Sequence, residues 1–215
     1  MYVRDAKNRD EAWLLDEIER MGLDEAAFRS RDYVIAVDQE SGDRAGFGRL
    51  RIHKPRSDAA DGSADGDRDA GEDADADGEV IELTGIGVLE TWRGCGVGAH
   101  VIERLVDTAA ADGFEAVYVL TDQPDYLAQF GFDPVADDAL PAVLVDRLGE
   151  KRETVSDDVV GLRIDVDEFA MTDRLREAFK SATPGTDADE PDATESPEDF
   201  GIDPETATYK YDTGR

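Results

Sequence analysis

Short apolar runs separated by polar turns predict the first strands of a sheet. Tyr33–Val37 and Ala45–His53 flank a polar turn at residues 40–43, and this arrangement predicts a β-hairpin. A shorter run at residues 2–4 predicts an opening strand.

Helical spacing of apolar residues follows the opening strand. Leu14 and Ile18 lie four residues apart, and Asn8 with Glu11 forms a capping-box pattern that predicts where the helix begins. A second short helix is expected at residues 24–28.

The second half of the chain predicts alternating strands and helices. The run Val80–Val88 predicts a strand, but its period of two slips at Gly85, which is typical of a β-bulge. Further elements are expected as a helix from Gly98 to Gly113, a strand at 116–120, a short helix from Pro124, a strand at 132–135, a last antiparallel strand at 159–166 and a helix at 172–180. No element is assigned to the segment that begins at Pro141.

Charge narrows the classes of partner. The 215 residues include 53 acidic and 23 basic side chains, a formal net charge of -30. This negative charge disfavours binding to nucleic acid or an anionic membrane. The acidic composition resembles that of halophilic archaeal proteins. The single cysteine, Cys95, excludes an internal disulfide and a cysteine-based metal site. No long apolar segment is present, so we expect a cytoplasmic protein.

Two acidic segments predict disorder at the margins of one domain. Ser57–Gly78 contains no apolar residue larger than alanine and predicts a disordered insertion; its Asp-x-Asp spacings leave a calcium site as the alternative. The predicted domain spans residues 1–180, and 181–215 is predicted to be a disordered acidic tail.

The segment from Gly85 to Gly98, GIGVLETWRGCGVG, carries the candidate chemistry. A strand that leads through glycines into a helix places backbone N–H groups and the positive end of a helix dipole at one point, which is typical of a phosphate site. The Gly-Lys-Ser/Thr ending of a P-loop is absent. A dinucleotide-binding pattern is matched by Gly94, Gly96 and Ala99, with Asp122 as the acidic residue.

A third interpretation rests on resemblance. The pattern V-x-x-x-x-R-G-x-G-x-G at 88–98, the helix behind it and Y-L-A-Q-F-G-F at 126–132 together resemble the GNAT superfamily of N-acetyltransferases, more narrowly the acetyltransferase domain of N-acetylglutamate synthase. The resemblance implies an α/β fold with a mixed, largely antiparallel central sheet, a splayed parallel strand pair and flanking helices. It also implies acetyl-CoA as co-substrate, no metal, and a primary amine of a small molecule or a protein as acceptor. A homodimer is left open.

The resemblance also implies roles for particular residues. The cofactor would be bound by the main chain of the β-strand end and by the glycine loop, that is by Ile86, Gly87, Val88, Arg93, Gly94, Cys95, Gly96, Val97 and Gly98. Because this loop is expected to be exposed, Gly96→Val should abolish binding at a modest cost in stability.

Two candidate catalytic side chains follow. Glu82, on the predicted strand, is the candidate proton acceptor for the amine, with a solvated strand carboxylate as the alternative. Many relatives carry a tyrosine that protonates the departing thiolate where this chain has Leu127, so the neighbouring Tyr126 is the candidate acid.

Two other functions are kept as alternatives. One is a non-catalytic module that binds acyl-CoA, suggested by the shifted tyrosine. The other is a nicotinamide-dependent oxidoreductase, suggested by the dinucleotide-type glycines.

Overall fold

Seven strands and five helices make up the described part of the chain. The computed structural model describes residues 1–23, 27–54 and 78–185. The strands are β1 (Tyr2–Asp5), β2 (Tyr33–Val37), β3 (Arg44–His53), β4 (Val80–Val88), β5 (Ala116–Thr121), β6 (Asp133–Val135) and β7 (Val160–Asp165). The helices are α1 (Glu11–Arg20), α2 (Val97–Ala111), α3 (Pro124–Ala128), α4 (Ala142–Thr154) and α5 (Asp173–Lys180).

The strands form one mixed sheet in the order β1-β2-β3-β4-β5-β7-β6. Only β4 and β5 are parallel, and they share a single registered pair, Glu82 with Tyr118. Beyond that pair the two strands separate toward Val88 and Thr121. The predicted mixed, largely antiparallel sheet with one splayed parallel pair is therefore confirmed.

A β-bulge lies where the apolar period slips. Arg49 pairs with Thr84 and Phe47 pairs with Gly87, so Gly48 of β3 faces two residues of β4. Gly85, one of those two, has a φ of +59°, a conformation that glycine adopts without a Cβ penalty. The predicted bulge at Gly85 is confirmed, and it bends β4 just before the glycine loop.

The sheet buries a different set of side chains on each face. On one face α2 packs over β2, β3, β4 and β5, and α5 packs against α2; Leu83, Val119 and Leu105 belong to this larger core. On the other face α1 packs against β2 and β3, while Leu148 of α4 packs against the end of β5. Glu82 lies on this second face.

The start of α1 differs from the predicted capping box. The backbone N–H of Lys7 donates to the carboxylate of Asp10 at 2.9 Å, and Arg4 and Arg44 also pair with that buried carboxylate. A 3₁₀ turn at Asn8–Asp10 precedes the helix, so the reciprocal bond uses Asp10 and not Glu11. The sequence pattern was one residue out of register.

Helix α4 fills the segment to which the sequence assigned no element. Its buried residues include Arg147 beside Leu144 and Leu148, so apolar spacing alone does not describe its inner face. The insertion Ser57–Gly78 lies outside the described residues except for Gly78, as do most of the helix predicted at 24–28 and the tail beyond residue 185. Residues 181–185 pack against the loop before α2, where the N–H of Gly185 donates to the carbonyl of Thr91 at 2.8 Å.

Candidate active site

A cleft of about 710 Å³ opens where β4 and β5 separate. One wall is the end of β4 with the glycine loop, and the other is the end of β5 with α3. Leu23 after α1 borders the cleft on one side, and Lys151 of α4 and Arg174 of α5 also line it. Beyond Glu82 no described residue of β4 is registered with β5, so this edge of β4 faces the cleft.

Unused backbone donors gather at the start of α2. Within the described part of the chain, the N–H groups from Gly94 to Ala99 make no backbone hydrogen bond of normal geometry. Gly94 and Gly96 have φ values of +74° and +72°, which turn the chain sharply before the helix begins at Val97. Donors of this kind and the positive end of a helix dipole both favour an anion, and the anion site expected from the sequence stays a prediction.

The hydroxyl of Tyr126 lies over the first turn of α2. A Cβ added to Gly98 would come within 2.8 Å of this hydroxyl oxygen, so the tyrosine closely covers the glycine. Tyr126 is 41% exposed and packs edge-on against Phe130, whereas Leu127 is buried in the core. Burial of its ring raises the pKa of Tyr126 above its usual value, so the phenol stays protonated at neutral pH.

Glu82 lies beneath the cleft in a buried charged cluster. His53 Nε2 and Arg147 Nε lie 2.8 Å and 2.5 Å from its Oε2, and Lys151 Nζ lies 3.5 Å from its Oε1. Burial alone would raise the pKa of Glu82. The hydrogen bond from His53 and the charges of Lys151 and Arg147 outweigh burial and hold that pKa below its usual value.

This environment differs from both interpretations of Glu82 made from the sequence. The carboxylate is 0% exposed and is bonded to His53, so it is not a solvated strand carboxylate. Glu82 is also not among the residues that line the cleft. A carboxylate with a lowered pKa and no access to the cleft is poorly suited to accept a proton from an amine.

Residues 3–132 match the Acetyltransferase (GNAT) family. The chain belongs to this family. The resemblance to the GNAT superfamily seen in the sequence is therefore confirmed. No curated protein matches the chain.

Solved structures share the GNAT fold at low sequence identity. N-acetylglutamate synthase from Neisseria gonorrhoeae, in complex with coenzyme A and N-acetyl-glutamate, is 17% identical with a TM-score of 0.55 over 77% of this chain. Rv2747 from Mycobacterium tuberculosis, in complex with CoA, is 16% identical with a TM-score of 0.54; the match covers 77% of this chain and 99% of that one. The chain spans about a third of the synthase, 35% of its length.

Most of the GNAT loop residues predicted to hold the cofactor lie on the cleft. Those that line it are Ile86, Val88, Arg93, Gly94, Gly96, Val97 and Gly98. Gly87 instead faces Phe47 and Met21. A Cβ added to Gly87 would come within 2.6 Å of the phenyl ring of Phe47. The thiol of Cys95 is directed toward the carbonyl of Thr183, 3.9 Å away.

Gly96 is not the exposed position that was expected. It is buried, and an added Cβ would lie 2.5 Å from the carbonyl oxygen of Leu175 in α5. Backbone cannot give way as a flexible side chain can, so Gly96→Val would disrupt the packing of α5 as well as the loop. The expectation of a modest cost in stability is therefore wrong, and that variant does not isolate cofactor binding.

Two cations of the cleft were missed by the sequence. Lys151 and Arg174 lie beyond residue 132, where the GNAT match ends, and on helices whose positions relative to the loop depend on the tertiary fold. The four-residue spacing of Leu175 and Phe179 is typical of a helix and agrees with α5, but this spacing does not indicate that the helix borders the cleft.

The described residues were also compared with the requirements of a metal site and of a membrane-spanning helix. The described residues contain no group of three or more His, Cys, Asp or Glu side chains placed to hold a metal ion. None of the helices in the same residues is long and apolar enough to cross a membrane.

Proposed function

We propose that this GNAT protein transfers the acetyl group of acetyl-CoA to the primary amine of a small molecule that also carries a carboxylate. The observation that carries the proposal is the juxtaposition of free backbone donors at the start of α2 with the Tyr126 hydroxyl over Gly98, at the open end of the β4–β5 pair. Acetyl-CoA supplies a thioester whose acetyl group can pass to an amine.

The residues present fit this co-substrate. The N–H groups from Gly94 to Ala99 and the guanidinium of Arg93 would bind its phosphates. The open edge of β4 from Ile86 to Val88 offers main-chain groups to the pantetheine arm, in the manner of an added strand. A backbone N–H near Val88 would stabilise negative charge on the carbonyl oxygen of the acetyl group.

Tyr126 is proposed as the general acid. Its phenol is protonated at neutral pH, since its ordinary pKa of 10.0 already lies well above 7 and burial raises it further, and its oxygen is directed toward the start of α2. It would donate its proton to the sulfur as the carbon–sulfur bond breaks. Tyr126 thus takes the role that relatives give to the residue at Leu127, whose side chain is buried here.

Glu82 is proposed to position Lys151. The carboxylate neutralises Arg147 and lies 3.5 Å from the Lys151 ammonium, which also donates to the carbonyl of Leu120 at 2.9 Å. Lys151 is 15% exposed and lines the cleft. The proton of the amine would then leave through water or through Asp122, the one carboxylate among the described residues of the cleft wall.

Charge in the cleft supports an acceptor that bears a carboxylate. Arg93, Lys151 and Arg174 line the cleft, and Asp122 is the one carboxylate among its described lining residues, although the whole chain has a net charge of -30. The phosphates of bound acetyl-CoA would occupy the arginines beside the glycine loop, so Lys151 is the cation left to attract a carboxylate of the acceptor and to disfavour a polyamine. The Neisseria synthase binds N-acetyl-glutamate, which is the amide of an acceptor that carries both an amine and a carboxylate.

The test is release of free CoA thiol with a panel of acceptors at low and molar salt. We expect turnover with acidic amino acids and little with polyamines or with the amino terminus of a peptide. Preference for polyamines or peptides would contradict the proposed acceptor class. Tight binding of acetyl-CoA with no thiol release for any acceptor would favour the non-catalytic alternative.

The role of Tyr126 is tested with Tyr126→Phe. The change removes only the hydroxyl, so we expect kcat to fall by about 10²–10⁴-fold while the Kd for acetyl-CoA and the melting temperature remain close to wild type. The matched control is Tyr118→Phe, a change on β5 away from the cleft wall. An unchanged kcat in Tyr126→Phe would remove the tyrosine from the mechanism.

The charge of the chain supports a working environment of concentrated salt within the cytoplasm. Molar salt shortens the Debye length to about 3 Å and so screens repulsion between the many surface carboxylates. This part of the proposal is independent of the chemistry in the cleft.

A further inference from the structure

Helix α5 packs directly on the glycine loop, although it lies outside the matched family segment. Leu175 and Phe179 are buried in the larger core, and the ring of Phe179 stacks on His100 of α2 with centroids 3.9 Å apart. Arg176 pairs with Glu103 of α2 at 2.7 Å. The carbonyl of Leu175 approaches Gly96 so closely that no side chain fits there.

This packing fixes Arg174 at the mouth of the cleft. Arg174 precedes Leu175 and lines the cleft together with Arg93, Gly94 and Gly96. Its side chain is exposed and makes no ion pair or hydrogen bond with the other described residues. Arg176, on the same helix, instead pairs with Glu103 of α2. The neighbouring carboxylate of Asp173 is not among the lining residues.

We propose that Arg174 is a phosphate-binding residue of the acetyl-CoA site, supplied by a helix beyond the GNAT match. The inference rests on the proposed function, because it assumes that the loop binds the phosphates of this co-substrate. A guanidinium presents several N–H donors in a planar fork and matches phosphate geometry. Arg93 and Arg174 would thus flank the backbone donors at the start of α2.

CoA carries two kinds of phosphate, the pyrophosphate and the 3′-phosphate of the ribose. Both have the chemistry that an arginine at this position recognises. A ligand that lacks the 3′-phosphate separates the two.

The experiment is calorimetric titration of the full chain with CoA and with dephospho-CoA. We expect Arg174→Ala to weaken CoA binding about tenfold at low salt, and less at molar salt, because a charge-assisted contact with phosphate is lost. If Arg174 binds the 3′-phosphate, the variant and the wild type should bind dephospho-CoA equally. If it binds the pyrophosphate, the loss should be the same for both ligands.

Arg176→Ala is the matched control. It removes the same charge from the same helix, at a side chain that pairs with Glu103 and does not line the cleft. An unchanged Kd for Arg174→Ala, or an equal loss in both variants, would overturn the assignment. Failure of the wild type to bind CoA at all would instead overturn the proposed function.

Discussion

At the scale of single residues, the charged cluster around Glu82 yields a stability prediction. Glu82→Gln leaves the buried Arg147 and the partly exposed Lys151 without this carboxylate, and loss of one partner from a buried ion pair costs about 3–5 kcal/mol. We therefore expect Glu82→Gln to lower the free energy of unfolding by about this amount at pH 7. Urea denaturation measures the difference, with the exposed residue Glu79→Gln as the matched control.

The pH dependence of this difference follows from the pKa of Glu82. Folding lowers that pKa, so the stabilisation is fully present above the ordinary value of 4.5 and is lost as the pH falls through the folded-state pKa. The gap between wild type and Glu82→Gln should therefore shrink below about pH 4.5. A gap that stays constant down to pH 3 would contradict an ionised Glu82 in the folded protein.

Local and distant contacts explain which residues of the site could be predicted. The glycine loop could be predicted from the sequence because its backbone N–H groups are consecutive in the chain. The bulge at Gly85 could be predicted because it interrupts the apolar period of a single strand. The partners of Glu82 were not, since Arg147 is 65 residues away in the chain. A cation on a buried helix face resembles a surface residue until its partner is known.

At the scale of elements, the β3–β4 hairpin determines what the acidic insertion does for stability. His53 and Val80 are paired on adjacent strands, so the two ends of the intervening segment lie close together. We expect replacement of residues 55–77 by a short turn to leave the melting temperature and the Kd for acetyl-CoA nearly unchanged. The reason is that each doubling of loop length changes the free energy of loop closure by only about 0.6 kcal/mol.

Thermal denaturation and calorimetry check this replacement. The control is a shuffled insertion of the same length and composition, which keeps charge and loop length while losing any specific sequence. A loss of several kcal/mol in the shortened variant would show that the insertion packs on the domain or binds an ion.

Helices were predicted from sequence where their buried faces are apolar and missed where they are not. Helix α2 has Val101, Ile102 and Leu105 on its inner face, and its apolar spacing is unambiguous. Helix α4 buries Arg147 between Leu144 and Leu148, and it contains Gly149. Its helical period becomes visible only when charge pairing with β4 is included.

At the scale of the whole molecule, net charge predicts the response to salt. A net charge of -30 favours unfolding by self-repulsion, and this repulsion is screened as the Debye length falls from about 10 Å at 0.1 M to about 3 Å at 1 M. We expect the melting temperature to rise by several degrees between 0.1 and 2 M KCl, because each kcal/mol corresponds to about 2–4 °C for a domain of this size.

The shortened variant provides the comparison. Residues 55–77 contain nine acidic and two basic side chains, a net charge of -7, so their removal should make the salt dependence shallower. A melting temperature independent of salt in both proteins would contradict a role for charge repulsion.

The position of β7 between β5 and β6 bears on the order in which the protein can assemble during synthesis. Among the described residues, β7 is the last strand along the chain but an inner strand of the sheet, so β6 lacks the strand it pairs with until residues 160–165 have been made. A nascent chain that ends at residue 159 would present one edge of β5 unpaired, and exposed strand edges favour aggregation. The stretch that matches the GNAT family, residues 3–132, contains neither β6 nor β7, so on its own it would leave that edge of β5 unpaired.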